Sequence, residues 1–357
     1  MTSKRVLRVN GTIGFIVCMP LLLVFGQDPT TPAAGEKAGE KKDRPKRPPR
    51  PGVSTPGVKR EISTITPAAV FSVPGTPDWQ VMTDDAVWVS NGPKNTIHRL
   101  DPKTNRVVAA IEVGKRPCSG LAAGFGSVWV PVCGDRPGAE NAARPALVRI
   151  DIKTNQVIAT IPVGPADSEG GLVASPEAVW MTTDPKGTLS RIDPATNKVA
   201  AEIAVATGSV ACVYAEGAVW VSSPEKSVIT RVDAKTNAVT DTIAVGPGPR
   251  FLTAGAGSVW TLNQGDGTVS RIDMKTRKMV ANIDAGLPGT GGELAFGDGY
   301  VWATVFQIPL SKIDPASNQV VKQWVGAGGD SVRIGHGSLW LSNLREQNVW
   351  RIDLKQL

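Results

Sequence analysis

GAVWVSSPEKSVITRVDAKTNAVTDTIAVG, residues 217–246, alternates apolar and polar side chains in three short runs, 218–222, 228–232 and 238–245. Pro, Lys, Asn and Asp fill the gaps where turns need them, so the stretch predicts three antiparallel strands. Near-copies recur along the chain. A Trp preceded by Val or Leu stands at Trp88, Trp129, Trp180, Trp220, Trp260, Trp302 and Trp340, with spacings of 41, 51, 40, 40, 42 and 38. A basic residue, an aliphatic one and Asp follow in phase: Arg99 to Asp101, Arg149 to Asp151, Arg191 to Asp193, Arg231 to Asp233, Arg271 to Asp273, Lys312 to Asp314 and Arg351 to Asp353. Two markers kept in step define a repeat, and a period near 40 built of short strands is how propeller blades read. The expected fold is all-β, a seven-bladed β-propeller of four-stranded antiparallel blades.

The chain has 357 residues, 41% of them hydrophobic, and 38 glycines, which suits a β-rich globular domain. Its net charge of +7 lies wholly in residues 1–65, with 12 Lys and Arg against 5 Asp and Glu. The remainder is balanced, so the basic pI is no argument for nucleic acid binding by the folded part. Lys4, Arg5 and Arg8 precede an apolar run over 13–25, the pattern of a signal peptide over 1–26 and of export to the periplasm or beyond. An uncleaved anchor is the alternative. Residues 27–65 read as a disordered Pro/Lys/Arg-rich linker, either a plain tether or a contact for an anionic surface. The propeller is then expected over 66–357, as a monomer.

Each blade is expected to run A-B-C-D from the axis outward. The turn Asp-Pro-Lys-Thr-Asn at 101–105, with its copy at 193–197, joins strands C and D. A Trp at one strand position in every blade is a packing residue rather than a stacking platform. The last repeat stops after strand C, whereas an orphan strand resembling D lies at 69–75. Pairing the two would complete the seventh blade and remove open edges.

The blade text, with Trp88-Val89-Ser90-Asn91 and the partial repeat Leu341-Ser342-Asn343, resembles the YVTN-type seven-bladed β-propeller repeat family over about 66–357. More distantly it is similar to virginiamycin B lyase and gluconolactonase-like propellers, which are enzymes. The resemblance implies a binding face carrying the D–A and B–C loops around the central channel; the fold alone implies no function.

On that face the D–A loops offer Asp78, Trp79, Glu169, Arg250, Phe251, Glu293 and Asp330. The B–C loops add Asn91, Asp135, Arg136, Asp184, Asn263, Asp266 and Arg345. Blade 2 carries about ten extra residues over 134–144, a recognition loop or a tolerated insertion. The expected role is a non-catalytic binding or scaffold module, with a protein, polysaccharide or small ligand at this face and no cofactor. The alternative is a metal-dependent lyase or lactonase, with a divalent ion held by Glu169, Glu293 and Asp330. Lyase chemistry also asks for a histidine. Only His98, in strand C of blade 1, and His336, in an A–B turn on the opposite face, are present.

Cys118 and Cys133 are equidistant from the turn at 124–127, so a regular hairpin sets them face to face, Cα atoms about 4.5 Å apart, as a disulfide. A one-residue slip would instead turn them apart. Cys212 reads as a buried free thiol.

Overall fold

The computed structural model describes residues 52–135, 138 and 142–357. Seven sheets of four antiparallel strands form, with one sheet gaining a fifth strand. The signature stretch becomes strands B to D of blade 4, Ala218–Ser223, Val228–Asp233 and Val239–Ala244, behind a short strand A, Cys212–Ala215. The ring closes as the missing strand required. Ala69–Ser72 pairs antiparallel with Asn348–Asp353, Phe71 opposite Val349, and so supplies strand D of blade 7.

The seven marker tryptophans are all buried. Five of them donate Nε1–H to the carbonyl five residues earlier, as Trp129 does to Gly124 and Trp260 to Gly255. Trp88 and Trp180 use the Thr83 and Ser175 hydroxyls at the same place. On the open face of each ring lies the second marker, with the Arg149 guanidinium 4.6 Å from the Trp129 ring and Arg271 4.8 Å from Trp260. Each blade therefore buries its largest apolar side chain against a cation–π partner.

Strand D carries a β-bulge in blades 1 to 6, at Val108 in blade 1 and Val280 in blade 5 for example. A bulge bends an outer strand away from further pairing; in blades 1 to 5 that strand is the edge of its sheet, whereas in blade 6 it takes one further strand.

The linker expected over 27–65 ends earlier in the structure. Lys59–Glu61 adds in parallel to strand D of blade 6, Arg60 opposite Trp324. Val53, Val58, Ile62 and Ile65 are buried. Spaced apolar residues at 53, 58, 62 and 65 are enough to dock this short segment, and the basic composition around them masked the signal. Residues 1–51, with the signal peptide and most of the basic tail, lie outside the described residues.

Cys118 and Cys133 are bonded, with Cα atoms 6.0 Å apart rather than about 4.5. Ala122 pairs with Trp129, but Pro117 pairs with Val132, so the register shifts by two between them. Ser119, at φ +65°, marks the irregularity. The cysteines are thus diagonal neighbours, still within disulfide reach. Cys212 is free and buried.

Candidate functional site

Every D–A loop runs over the top face into the innermost strand, and four of them deliver a carboxyl to the channel mouth. Glu293 and Asp330 are buried, while Asp78 and Glu169 are half-buried. Asp78, from the loop entering blade 1, hydrogen-bonds the carboxylate of Asp330, from the loop entering blade 7. Asp330 also accepts from Gly292 N–H at 3.0 Å. Burial is the main cause that pushes both acids up, and Asp330, Glu169 and Glu293 push Asp78 further. The pair holds a shared proton well above the ordinary carboxyl range. Glu169 is raised to about 7, first by burial, with Arg250 opposing and Asp167, Asp330 and Glu293 adding to the rise.

Two arginines face these acids, and each is committed. Arg333 pairs with Glu293 and donates to the Val332 carbonyl at 2.7 Å. Glu293 accepts in addition from the Ser331 hydroxyl and from Val332 N–H at 3.1 Å. Burial still raises its pKa, against the pull of Arg333. Arg250 meets Asp167 at 3.1 Å. Among the described residues, Asp78, Asp330 and Glu169 are left without an ion pair of their own.

Trp79 and Phe251 form the floor of the mouth rather than its rim. They are 4% and 2% exposed, and their ring centroids lie 5.9 Å apart. Trp79 starts in blade 1 and reaches Gly170 of blade 3, where a Cβ would stand 3.2 Å from the ring. The pair therefore crosses the axis. A void of about 50 Å³ lies against the two rings, Glu293 and Arg333. The channel beyond, about 310 Å³, is lined mostly by small apolar residues of the innermost strands.

The B–C loop candidates do not join the mouth. Asn91 is fully buried, accepting from Thr76 N–H at 3.2 Å and donating to the Pro74 carbonyl at 3.0 Å, so it fastens the neighbouring turn. Asn263 donates to Thr268, Ser270 and Asn282. Asp135, Asp184 and Asp266 accept from backbone N–H groups of their own loops. Arg345 lies over the Phe306 ring at 5.2 Å, between blades 6 and 7. Arg136 lies outside the described residues.

Arg333 is the mouth residue that sequence reasoning missed, and a signal for it exists. The residue paired with the marker Trp is Val81, Ala122, Val173, Val213, Thr253 or Ala295 in six blades, and Arg333 in the seventh. A cation on an innermost strand has to find an acid in the channel.

The metal reading of Glu169, Glu293 and Asp330 does not fit. Among the described residues no three His, Cys, Asp or Glu side chains stand close enough to hold an ion. Glu293 is closed off by Arg333, Ser331 and Val332, and Asp330 by Gly292 and Asp78. His98 sits in Thr96–Asp101, its pKa lowered by burial, and His336 occupies a left-handed turn position at φ +49°.

No family model matches the chain, and no curated protein sequence does. Among solved structures, hydrazine synthase of Kuenenia stuttgartiensis aligns with a TM-score of 0.65 at 15% identity, covering 79% of this chain and 96% of that one. The computationally designed Ika8 protein aligns with a TM-score of 0.57 at 13% identity, covering 79% and 99%. At these identities the likeness extends to the fold alone.

Proposed function

We propose that this protein is a non-catalytic binding module that takes the cationic group of its ligand at the mouth of the propeller channel. The observation that carries this reading is the surplus of acid there. Asp78, Asp330 and Glu169 converge from three blades, while both nearby arginines are engaged with Glu293 and Asp167. An amine entering the mouth would favour the ionised form of these carboxyls, which burial disfavours first and, at Asp78 and Glu169, neighbouring acids disfavour further. A half-buried site of low dielectric strengthens such a contact over its value in water. The aromatic floor stops the ligand from passing into the channel.

The likeness of Trp88-Val89-Ser90-Asn91 to the YVTN-type repeat supports a scaffold role, since there the repeat builds the ring and the loops carry recognition. A disulfide is stable in an oxidising compartment, which supports export. In this reading the basic tail tethers the module to an anionic surface while the ring presents its top face. The lyase or lactonase alternative gains nothing from the geometry, because the histidines stand away from the mouth.

Calorimetric titration with 1,4-diaminobutane tests the reading. At about pH 8 and low salt, saturable one-site binding is expected, lost in Asp78→Asn/Glu169→Gln. Heats that the double variant leaves unchanged would contradict it.

A further inference from the structure

A second concavity lies on the top face beside the mouth. It is a groove of about 640 Å³ between Asp135 with Ala142 to Pro145 of blade 2 and the loop entering blade 3, with Arg116 and Arg144 among its lining. Both walls are braced. On one side Asp135 N–H donates to the Ala143 carbonyl at 2.9 Å and the Asp135 carboxylate accepts from Ala143 N–H at 3.0 Å. The Cys118–Cys133 bond lies at the base of that wall. On the other side Ala166 N–H donates to the Thr182 carbonyl at 2.8 Å, and the Ser168 carbonyl accepts from Ser119 N–H at 3.0 Å.

Both acids among the described lining residues already have a partner. Asp135 closes its own loop, and Asp167 is paired with Arg250. Arg116 and Arg144 are exposed, and among the described residues neither guanidinium has an ion pair.

Arg116 also occupies a place that the fold fills elsewhere with glycine. The loop Val113-Gly114-Lys115-Arg116-Pro117 matches Val245-Gly246-Pro247-Gly248-Pro249 of blade 5, position for position. The matching residues share the left-handed region, Gly248 at φ +67° and Arg116 at φ +54°. A side chain there is strained where glycine is not. An arginine at such a position points to work done by the guanidinium.

We propose that this groove binds a peptide segment carrying acidic side chains, with Arg116 and Arg144 meeting its carboxylates and the proline and alanine walls covering its apolar body. No aromatic ring lines the groove among the described residues, so a sugar has no face to stack on. This rests on the top face being the binding face and names a partner class for it.

The test is fluorescence anisotropy with a labelled glutamate-rich octapeptide against its glutamine counterpart. Only the acidic peptide should bind, more weakly as salt rises. Arg144→Gln should weaken it by about tenfold. Arg116→Gly should weaken it comparably while leaving Tm unchanged or higher, which separates lost recognition from lost folding. Equal binding of both peptides, or affinity unmoved in both variants, overturns the proposal. So does capture of a phosphopeptide or an oligouronate in place of the glutamate peptide. The diamine titration on the same protein is scored separately, so failure here and failure of the mouth reading are distinguishable.

Discussion

Arg351 Nη1 donates to Asn105 Oδ1 at 2.9 Å, joining residues 246 apart in sequence across the closure of the ring. Arg149 makes the same clasp to Asn197 at 3.0 Å, and Arg271 to Asn318 at 2.9 Å. In each case the arginine also bonds a carbonyl at the start of the same loop, Pro102, Pro194 or Pro315. The two sequence markers are thus one device. In blades 1, 2, 5 and 7 arginine covers the tryptophan of its own blade and grips the C–D loop of the next. Asn105→Ala should cost about 1–2 kcal/mol in urea unfolding, and Asn197→Ala about as much. A cost at Asn197 alone would mean that the closing junction is held by other contacts.

The junction between blades 4 and 5 departs from this pattern and compensates. Arg277 replaces the loop asparagine, facing Arg231 across the blades, and Asp241 lies 3.9 Å from Arg231 and 3.4 Å from Arg277. The residue paired with the marker arginine is alanine in four other blades, at Ala109, Ala159, Ala201 and Ala281. Asp241→Ala should therefore destabilise by about 0.5–1 kcal/mol, a small figure because the site is partly exposed. In an Arg277→Asn background the same change should cost nothing. A double-mutant cycle by chemical denaturation reads the difference.

Two truncations separate tail from ring. Removing residues 1–51 should leave Tm unchanged, since the buried anchors Val53, Val58, Ile62 and Ile65 remain. Removing 1–75 takes those anchors and strand Ala69–Ser72, opening blade 7, and should lower Tm sharply or abolish folding. Differential scanning calorimetry on both proteins decides it.

Stability should peak in mildly acid solution. The mouth carboxyls are raised in the fold, Glu169 from 4.5 to about 7. Their contribution is fully present below the ordinary carboxyl pKa and is lost as pH rises through the folded value. The C–D loop aspartates shift the other way. Asp101 is held below 3.8, first by the Thr104 hydroxyl and then by Lys103 N–H, and Asp151, Asp193, Asp233, Asp273 and Asp314 are lowered first by a backbone N–H of the loop and then by its hydroxyl. Their contribution is lost as pH falls through the depressed values. Melting across pH should show a maximum at about pH 4, with a decline toward pH 8 that Glu169→Gln reduces.

Blade number, strand order and ring closure were legible because the repeat prints each strand several times over. The Trp and Arg markers could be located but not explained, since their partners lie in the next blade and appear only once the ring is built. The mouth was half legible. Loop position alone points to Asp78, Glu169, Glu293 and Asp330, while Trp79 and Phe251 turn inward as its floor. Asn91 was misleading, because a buried amide that fastens a turn and an exposed one that meets a ligand look identical in sequence.

The central claim is that the mouth carboxyls receive a cation, and the titration of Glu169 tests it most directly. Carbon-13 NMR of selectively labelled glutamate side chains should place its pKa near about 7 in the free protein, well above the ordinary value. Saturating 1,4-diaminobutane should lower that pKa toward the ordinary range, because a bound cation favours the ionised form. A Glu169 that titrates identically with and without the diamine would contradict the account.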